Sequence, residues 1–164
     1  MFEICNDGAC GTRLVADRPI RKGPIVHAIR VTEVLERATY QSIQIAPHRH
    51  ILDDGIIIYL NHSCRPSTII DTVAQLVRAE RDIAAGEELS FFYPTTEWSM
   101  DRPFICRCGA QQCVRLVAGA RFLPIDTLAH YRLSSHILGM IQESLTQRSA
   151  RHDEHRNGQL AELR

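Results

Sequence analysis

A mainly β chain closed by one helix and stapled by a metal is the fold this sequence predicts, and three observations carry it. Apolar runs between residues 12 and 93 are short and are interrupted at Pro19, Gly23-Pro24, Pro47 and Asp53-Asp54-Gly55, as strands joined by turns are. Cys106-x-Cys108-x4-Cys113, with Cys64 roughly forty residues upstream, offers the four thiols of a closed tetrahedral zinc site. Beyond Pro124, Leu128, Tyr131, Leu138, Ile141 and Leu145 form an amphipathic pattern, the signature of a surface helix.

Taken in order, residues 12–34 read as short strands around Pro19 and Gly23-Pro24. Residues 33–46 have helical character, because Val34, Leu35, Ala38 and Ile45 recur at near-helical spacing until Pro47. His48-Arg49-His50 reads as a solvated loop, and Asp53-Asp54-Gly55 as a turn into an apolar strand, Ile56 to Leu60. Strand character returns over 68–79 and 88–93, followed by an irregular metal loop over 104–115. The helix is expected over 124–147, and 148–164 reads as a polar, flexible tail. The boundaries that follow are 1–103 for the main domain, 104–123 for the metal-binding segment, 124–147 for the helix and 148–164 for the tail.

The chain of 164 residues is long enough to bury one core. Its 19 basic and 19 acidic side chains cancel, so composition gives no general reason for direct nucleic-acid binding. No apolar run reaches the ~20 residues of a membrane span. The start, Met1-Phe2-Glu3-Ile4-Cys5-Asn6-Asp7, lacks the basic-then-apolar pattern of a secretory signal. An intracellular setting, cytoplasm or nucleus, follows, with thiols kept reduced for metal. Cys5 and Cys10 are left over as ordinary thiols.

Three motifs then stand in a fixed order: Asn61-His62-Ser63-Cys64-x-Pro66, Gly86-Glu87-Glu88-Leu89-x-Phe91-x-Tyr93, and Phe104-x-Cys106-x-Cys108-Gly109-x3-Cys113. Together with Leu14-Val15-Ala16 and Ile20-Arg21-Lys22-Gly23 they closely resemble the SET-domain family with its post-SET cysteine motif, from about residue 11 to 123. The resemblance implies a β-clip type fold of small sheets (α+β minor), in which the Asn-His-Ser-Cys segment threads a loop in pseudoknot fashion. It implies methyl transfer from S-adenosylmethionine to a lysine amine of a protein partner, with structural zinc on Cys64, Cys106, Cys108 and Cys113. It also implies Tyr93 as the catalytic tyrosine, cofactor contacts at Gly11, Arg13, Asn61 and His62, and a substrate channel of Tyr59, Phe91 and Phe92. Outside that motif set, Tyr93 would read as a buried core tyrosine, and Asn61-His62 as a turn cap.

The sequence departs from the family where donor and acceptor meet. Arg13 stands at the second glycine of the usual glycine-x-glycine turn, where only glycine allows the closest backbone approach. It either pairs with the cofactor's carboxylate or blocks the pocket. His27-Ala28 replaces the usual glutamate-tyrosine pair, Phe92 the usual aspartate before the catalytic tyrosine, and Ser67 a common asparagine. Three functions remain open at this point: a protein lysine methyltransferase, a SET-like enzyme acting on a small molecule (with Tyr93, Asn61, His62 and His27 available for acid–base work), and an inactive protein-binding domain.

Overall fold

The structure, a computed structural model, describes the backbone of residues 1–6 and 11–161, and the side chains of these up to residue 150. Cys10 lies outside the described residues. Twelve strands are present among them: β1 Phe2–Asn6, β2 Thr12–Ala16, β3 Ile25–Ala28, β4 Val31–Leu35, β5 Ile43–Ala46, β6 Arg49–Asp53, β7 Asn61–His62, β8 Thr68–Asp71, β9 Leu76–Ala79, β10 Glu88–Phe91, β11 Phe104–Ile105 and β12 Leu116–Val117. Helices α1 Ile125–Leu128 and α2 Ser135–Ala161 follow. The strands form four small sheets, in the orders β1-β2-β10-β7, β3-β9-β8, β4-β6-β5 and β11-β12. This is the predicted mainly β architecture.

The first sheet positions the site. β10 runs antiparallel to β2, with Leu89 opposite Leu14, and parallel to the short β7, with Ser90 opposite Asn61 and Phe91 opposite His62. A two-residue parallel strand is weak by itself, and side chains reinforce it. Ser67, fully buried, takes the Ser90 N–H on its Oγ at 2.8 Å, while its own N–H donates to Ser90 O at 3.1 Å. Thr68 Oγ1 donates to the same carbonyl at 3.0 Å. Ser67 therefore stitches the Asn-His-Ser-Cys segment to β10.

Two apolar clusters meet at Tyr93. One gathers Leu14, Ile51, Leu60, Val77, Leu89 and Phe91; the other gathers Phe92, Val117, Leu128 and Ile137 around the cysteines. Tyr93 packs against both. Gly119 fixes the approach of 118–120 to the 98–99 backbone. At its φ of 116°, a Cβ would lie 2.5 Å from Trp98 O and 2.9 Å from Ser99 Cα. Gly119→Ala is expected to cost about 3 kcal/mol from overpacking and strain, lowering the melting temperature by roughly 6–12 °C. Thermal denaturation of the zinc-loaded variant checks this.

Four expectations are corrected. Residues 33–46 are not helical. β4 is rich in β-branched residues, and the segment turns back where Thr39 N donates to Ser42 Oγ at 2.8 Å and Ser42 Oγ to Thr39 O at 3.1 Å. Residues 56–60 are not a strand but a 3₁₀ turn over Ile57–Tyr59, whose first N–H groups at Ile56 and Ile57 donate to Asp53 Oδ2 at 3.3 and 3.4 Å. His50 is buried in β6, not in a solvated loop. The single helix expected from Pro124 is two: α1 ends at Leu128, and α2 starts at Ser135 and continues to Ala161, through most of the expected tail. The start of α2 is fixed by Ser134 N donating to Thr95 O at 3.0 Å and by His136 Nε2 against Thr96 O at 2.9 Å. Among the described residues, no helix is long and apolar enough to cross a membrane.

Candidate active site beside a four-cysteine centre

The four expected ligands converge. The sulfurs of Cys64, Cys106, Cys108 and Cys113 all lie within 4.8 Å of one another, with Cys64 and Cys106 4.0 Å apart. Zinc–sulfur bonds of ~2.3 Å in a tetrahedron put sulfurs about 3.8 Å apart, so this donor set suits zinc. Its electrostatics agree. Burial pushes the Cys64 thiol far up and the Cys106 thiol up to about 11, whereas N–H groups of Ala110 and Cys64 outweigh burial at Cys108 and bring it down to about 7. Four sulfurs this close do not all ionise without a cation among them; a divalent metal reverses that balance. Cys5 is not part of the cluster.

Two short routes run from this centre to Tyr93. The first is His62, whose Nδ1 accepts the Tyr93 N–H at 3.3 Å and whose Nε2 lies 3.3 Å from Cys64 Sγ. Accepting at Nδ1 leaves the proton on Nε2, aimed at sulfur. Burial lowers the His62 pKa to about 4, so the ring is neutral. The second is Phe104, two residues before Cys106, whose ring meets those of Tyr93 and His62 edge-on. The β11–β12 pair, with Phe104 opposite Val117, holds it there.

Tyr93, Phe91, Leu60, Ile57, Tyr40, Met100, Phe104 and Glu97 enclose a cavity of about 190 Å³. That is below the ~300 Å³ at which drug-sized ligand sites begin, and suits a slender alkyl chain. Tyr93 Oη donates to Leu60 O at 3.0 Å. Its pKa is raised by burial, with the charges of Glu97 and Glu88 adding to it. It stays protonated, and its oxygen lone pairs remain available to an incoming N–H.

On the other side of β10, Asn61 Nδ2 donates to Glu88 Oε1 at 2.8 Å and to Thr12 O at 3.3 Å. Both amide hydrogens are thereby directed into the protein, and what Asn61 offers a ligand is Oδ1. Gly11, at φ 76°, leads into β2, where Arg13 pairs with Cys5 of β1. Gly11, Arg13, Asn61 and His62 thus come from β2 and β7, the two strands that flank β10, or from their edges.

Not every expected residue reaches the cavity. Phe92 faces the second cluster and stacks on Tyr131 with ring centroids 3.7 Å apart, and Tyr59 packs on the first core. Of the three channel residues, only Phe91 lines this cavity. His27 is engaged elsewhere, with Nε2 3.1 Å from Asp53 Oδ2. Sequence reasoning missed Leu60, Phe104 and, above all, Glu97. Phe104 was legible as the first letter of the cysteine motif. Glu97 carried no signal, because nothing in Thr95-Thr96-Glu97-Trp98 says that the carboxylate is buried.

A SET-domain model matches residues 11–94. The chain belongs to the SET-domain family. The methyltransferase flvH of Aspergillus flavus is 40% identical over 107 residues, 64% of this SET chain and 60% of the relative. A histone-lysine N-methyltransferase of Aspergillus oryzae, H3 lysine-36 specific, is 40% identical over 67 residues, 37% of this chain but 7% of its own length. This chain therefore spans less than two thirds of either relative. Among solved structures, KRYPTONITE in complex with mCHH DNA, an H3(1-15) peptide and S-adenosylhomocysteine shares the fold, with a TM-score of 0.54 at 19% identity over 70% of this chain and 29% of that one.

Proposed function

We propose that this SET domain transfers a methyl group from S-adenosylmethionine to the amine of a lysine on a protein partner. The observation that carries the reading is the Tyr93 hydroxyl set in the wall of a narrow, largely apolar cavity. A lysine amine is protonated at neutral pH, near pKa 10.4 in water, and desolvation in such a cavity favours its neutral form. Support also comes from the two relatives, both named methyltransferases, and from KRYPTONITE, whose complex holds S-adenosylhomocysteine and a histone peptide.

In this reading Tyr93 Oη accepts an N–H of the amine and aims its lone pair, and Phe91 shapes the cavity wall. The donor group supplies an electrophilic methyl. Asn61 Oδ1 and the backbone at Gly11 and His62 hold that donor, and Arg13 pairs with its carboxylate. The cysteines hold structural zinc, which keeps Phe104 and His62 seated against Tyr93. The segments 1–103 and 104–123 act as SET and post-SET units. Such an enzyme works inside the cell, in cytoplasm or nucleus, and needs no direct contact with nucleic acid.

A second reading is methylation of a small primary amine. The cavity admits only a slender chain, which a free alkylamine fits as readily as a lysine side chain does. Incubating the zinc-loaded protein with S-adenosylmethionine and either recombinant histone H3 or n-butylamine, followed by mass spectrometry, decides between them. Methyl on histone lysines is the expected result; methyl on the amine alone favours the second reading. Methyl on neither contradicts both.

A further inference from the structure

The acceptor cavity contains a carboxyl that the reaction described above leaves unused. Glu97, 7% exposed, lines it four residues after Tyr93. Glu97 Oε1 is fully engaged, taking the Gln44 N–H at 2.8 Å and the Thr96 hydroxyl at 3.1 Å. Glu97 Oε2 faces His50 Nδ1 at 3.9 Å, beyond hydrogen-bond distance. The Nδ1 atoms of His50 and His136 are both buried without a hydrogen-bond partner among the described residues. A glutamine could meet the same two donors through its carbonyl, so the hydrogen bonds alone do not require an ionisable group.

We propose that Glu97, with His50 behind it, accepts the proton of a primary ammonium entering this cavity, and so generates the amine that attacks. This rests on the methyl-transfer reading. The ammonium N–H bond breaks, its proton moves to Glu97 Oε2, and the electron pair stays on nitrogen. That pair forms the new N–C bond as the methyl leaves the sulfonium, whose S–C electrons remain on sulfur.

The surroundings favour the role. Burial raises the Glu97 pKa to about 7, although hydrogen bonds from Gln44 and Thr96 lower it. Burial, then the neighbouring His136 and His48, lowers the pKa of His50, and burial lowers that of His136. Both imidazoles are thus neutral at neutral pH and do not lock Glu97 into a fixed ion pair. The other charged or titratable groups around the cavity are Tyr93, held protonated, Tyr40, Asp101 and Arg102. A base that titrates near neutral beside a phenol that does not is a useful division of labour.

The test follows the carboxyl directly, by ¹³C NMR of glutamate-labelled wild-type protein across a pH titration, with and without saturating n-butylamine. The expected midpoint lies near neutrality and falls by about one unit with the amine, because a bound cation stabilises the carboxylate. By linkage, Glu97→Gln binds n-butylammonium about 10-fold more weakly near pH 8 and equally near pH 5. An ordinary midpoint near 4.3, or one that the amine does not move, overturns the proposal. The wild-type titration decides even where Glu97→Gln fails to fold. Methyl transfer with an ordinary Glu97 sinks this inference and spares the function; a responsive Glu97 without methyl transfer sinks the function and the base role with it.

Discussion

Cys108→Ser is expected to release the metal and lower the melting temperature by on the order of 10 °C, since each kcal/mol shifts it by about 2–4 °C in a chain of this size and a lost metal ligand costs several. Cys108 is the informative choice because its side chain is exposed. Without a metal, an exposed cysteine-to-serine change would fall within about 0.5 kcal/mol of wild type. Cys64, by contrast, is buried in the second cluster, and replacing it would disturb packing whether or not metal is bound. The loss at Cys108 would also loosen Phe104, two residues from Cys106, and with it one wall of the cavity. Metal analysis beside thermal denaturation checks the prediction. A metal-free variant with unchanged stability would refute the zinc assignment.

Tyr93→Phe is expected to reduce methyl-transfer turnover roughly 100-fold, the scale on which one positioned polar group acts on a transition state. The ring and its packing against Phe91 and His62 are kept, so the fold survives. Leu60 O loses its donor, at a cost of about 1–3 kcal/mol. Affinity for S-adenosylmethionine should stay near wild type, which separates an effect on the acceptor side from general damage. Single-turnover kinetics with the methyl acceptor identified above provide the readout, and unchanged turnover would remove Tyr93 from the mechanism.

How much of this was legible in the sequence depends on where the physics resides. The zinc ligands are a matter of residue type and spacing, and all four converge. The turn at Asp53-Asp54-Gly55 was equally local, but its consequence was not. Asp53 collects the Ile56 and Ile57 N–H groups and bends an apolar run, readable as a strand, into a 3₁₀ turn. Helical spacing over 33–46 misled because Val34 and Leu35 belong to β4 and Ile45 to β5, two strands each paired with β6 rather than with each other, while Ala38 lies in the segment between them. The break before α2 was available in Ser134-Ser135, a serine pair of the kind that starts helices, but the longer amphipathic pattern obscured it. Glu97 shows the limit. Its burial depends on β5, β6 and α2 meeting over one loop, and no local pattern encodes that meeting. Tyr59 and Phe92 were expected in the channel through family position alone, and the turn at Ile57–Tyr59 and the stacking on Tyr131 direct them elsewhere.

Donor binding at this divergent site turns on Arg13. Calorimetric titration of the zinc-loaded protein with S-adenosylmethionine measures it. Saturable binding at one site per chain, weakened by Arg13→Ala, is the predicted result: the arginine then serves the donor's carboxylate. A folded, zinc-replete protein that shows no binding heat, and gains binding when Arg13 is replaced by glycine, would refute donor binding in the wild-type site and identify Arg13 as the plug of a closed pocket.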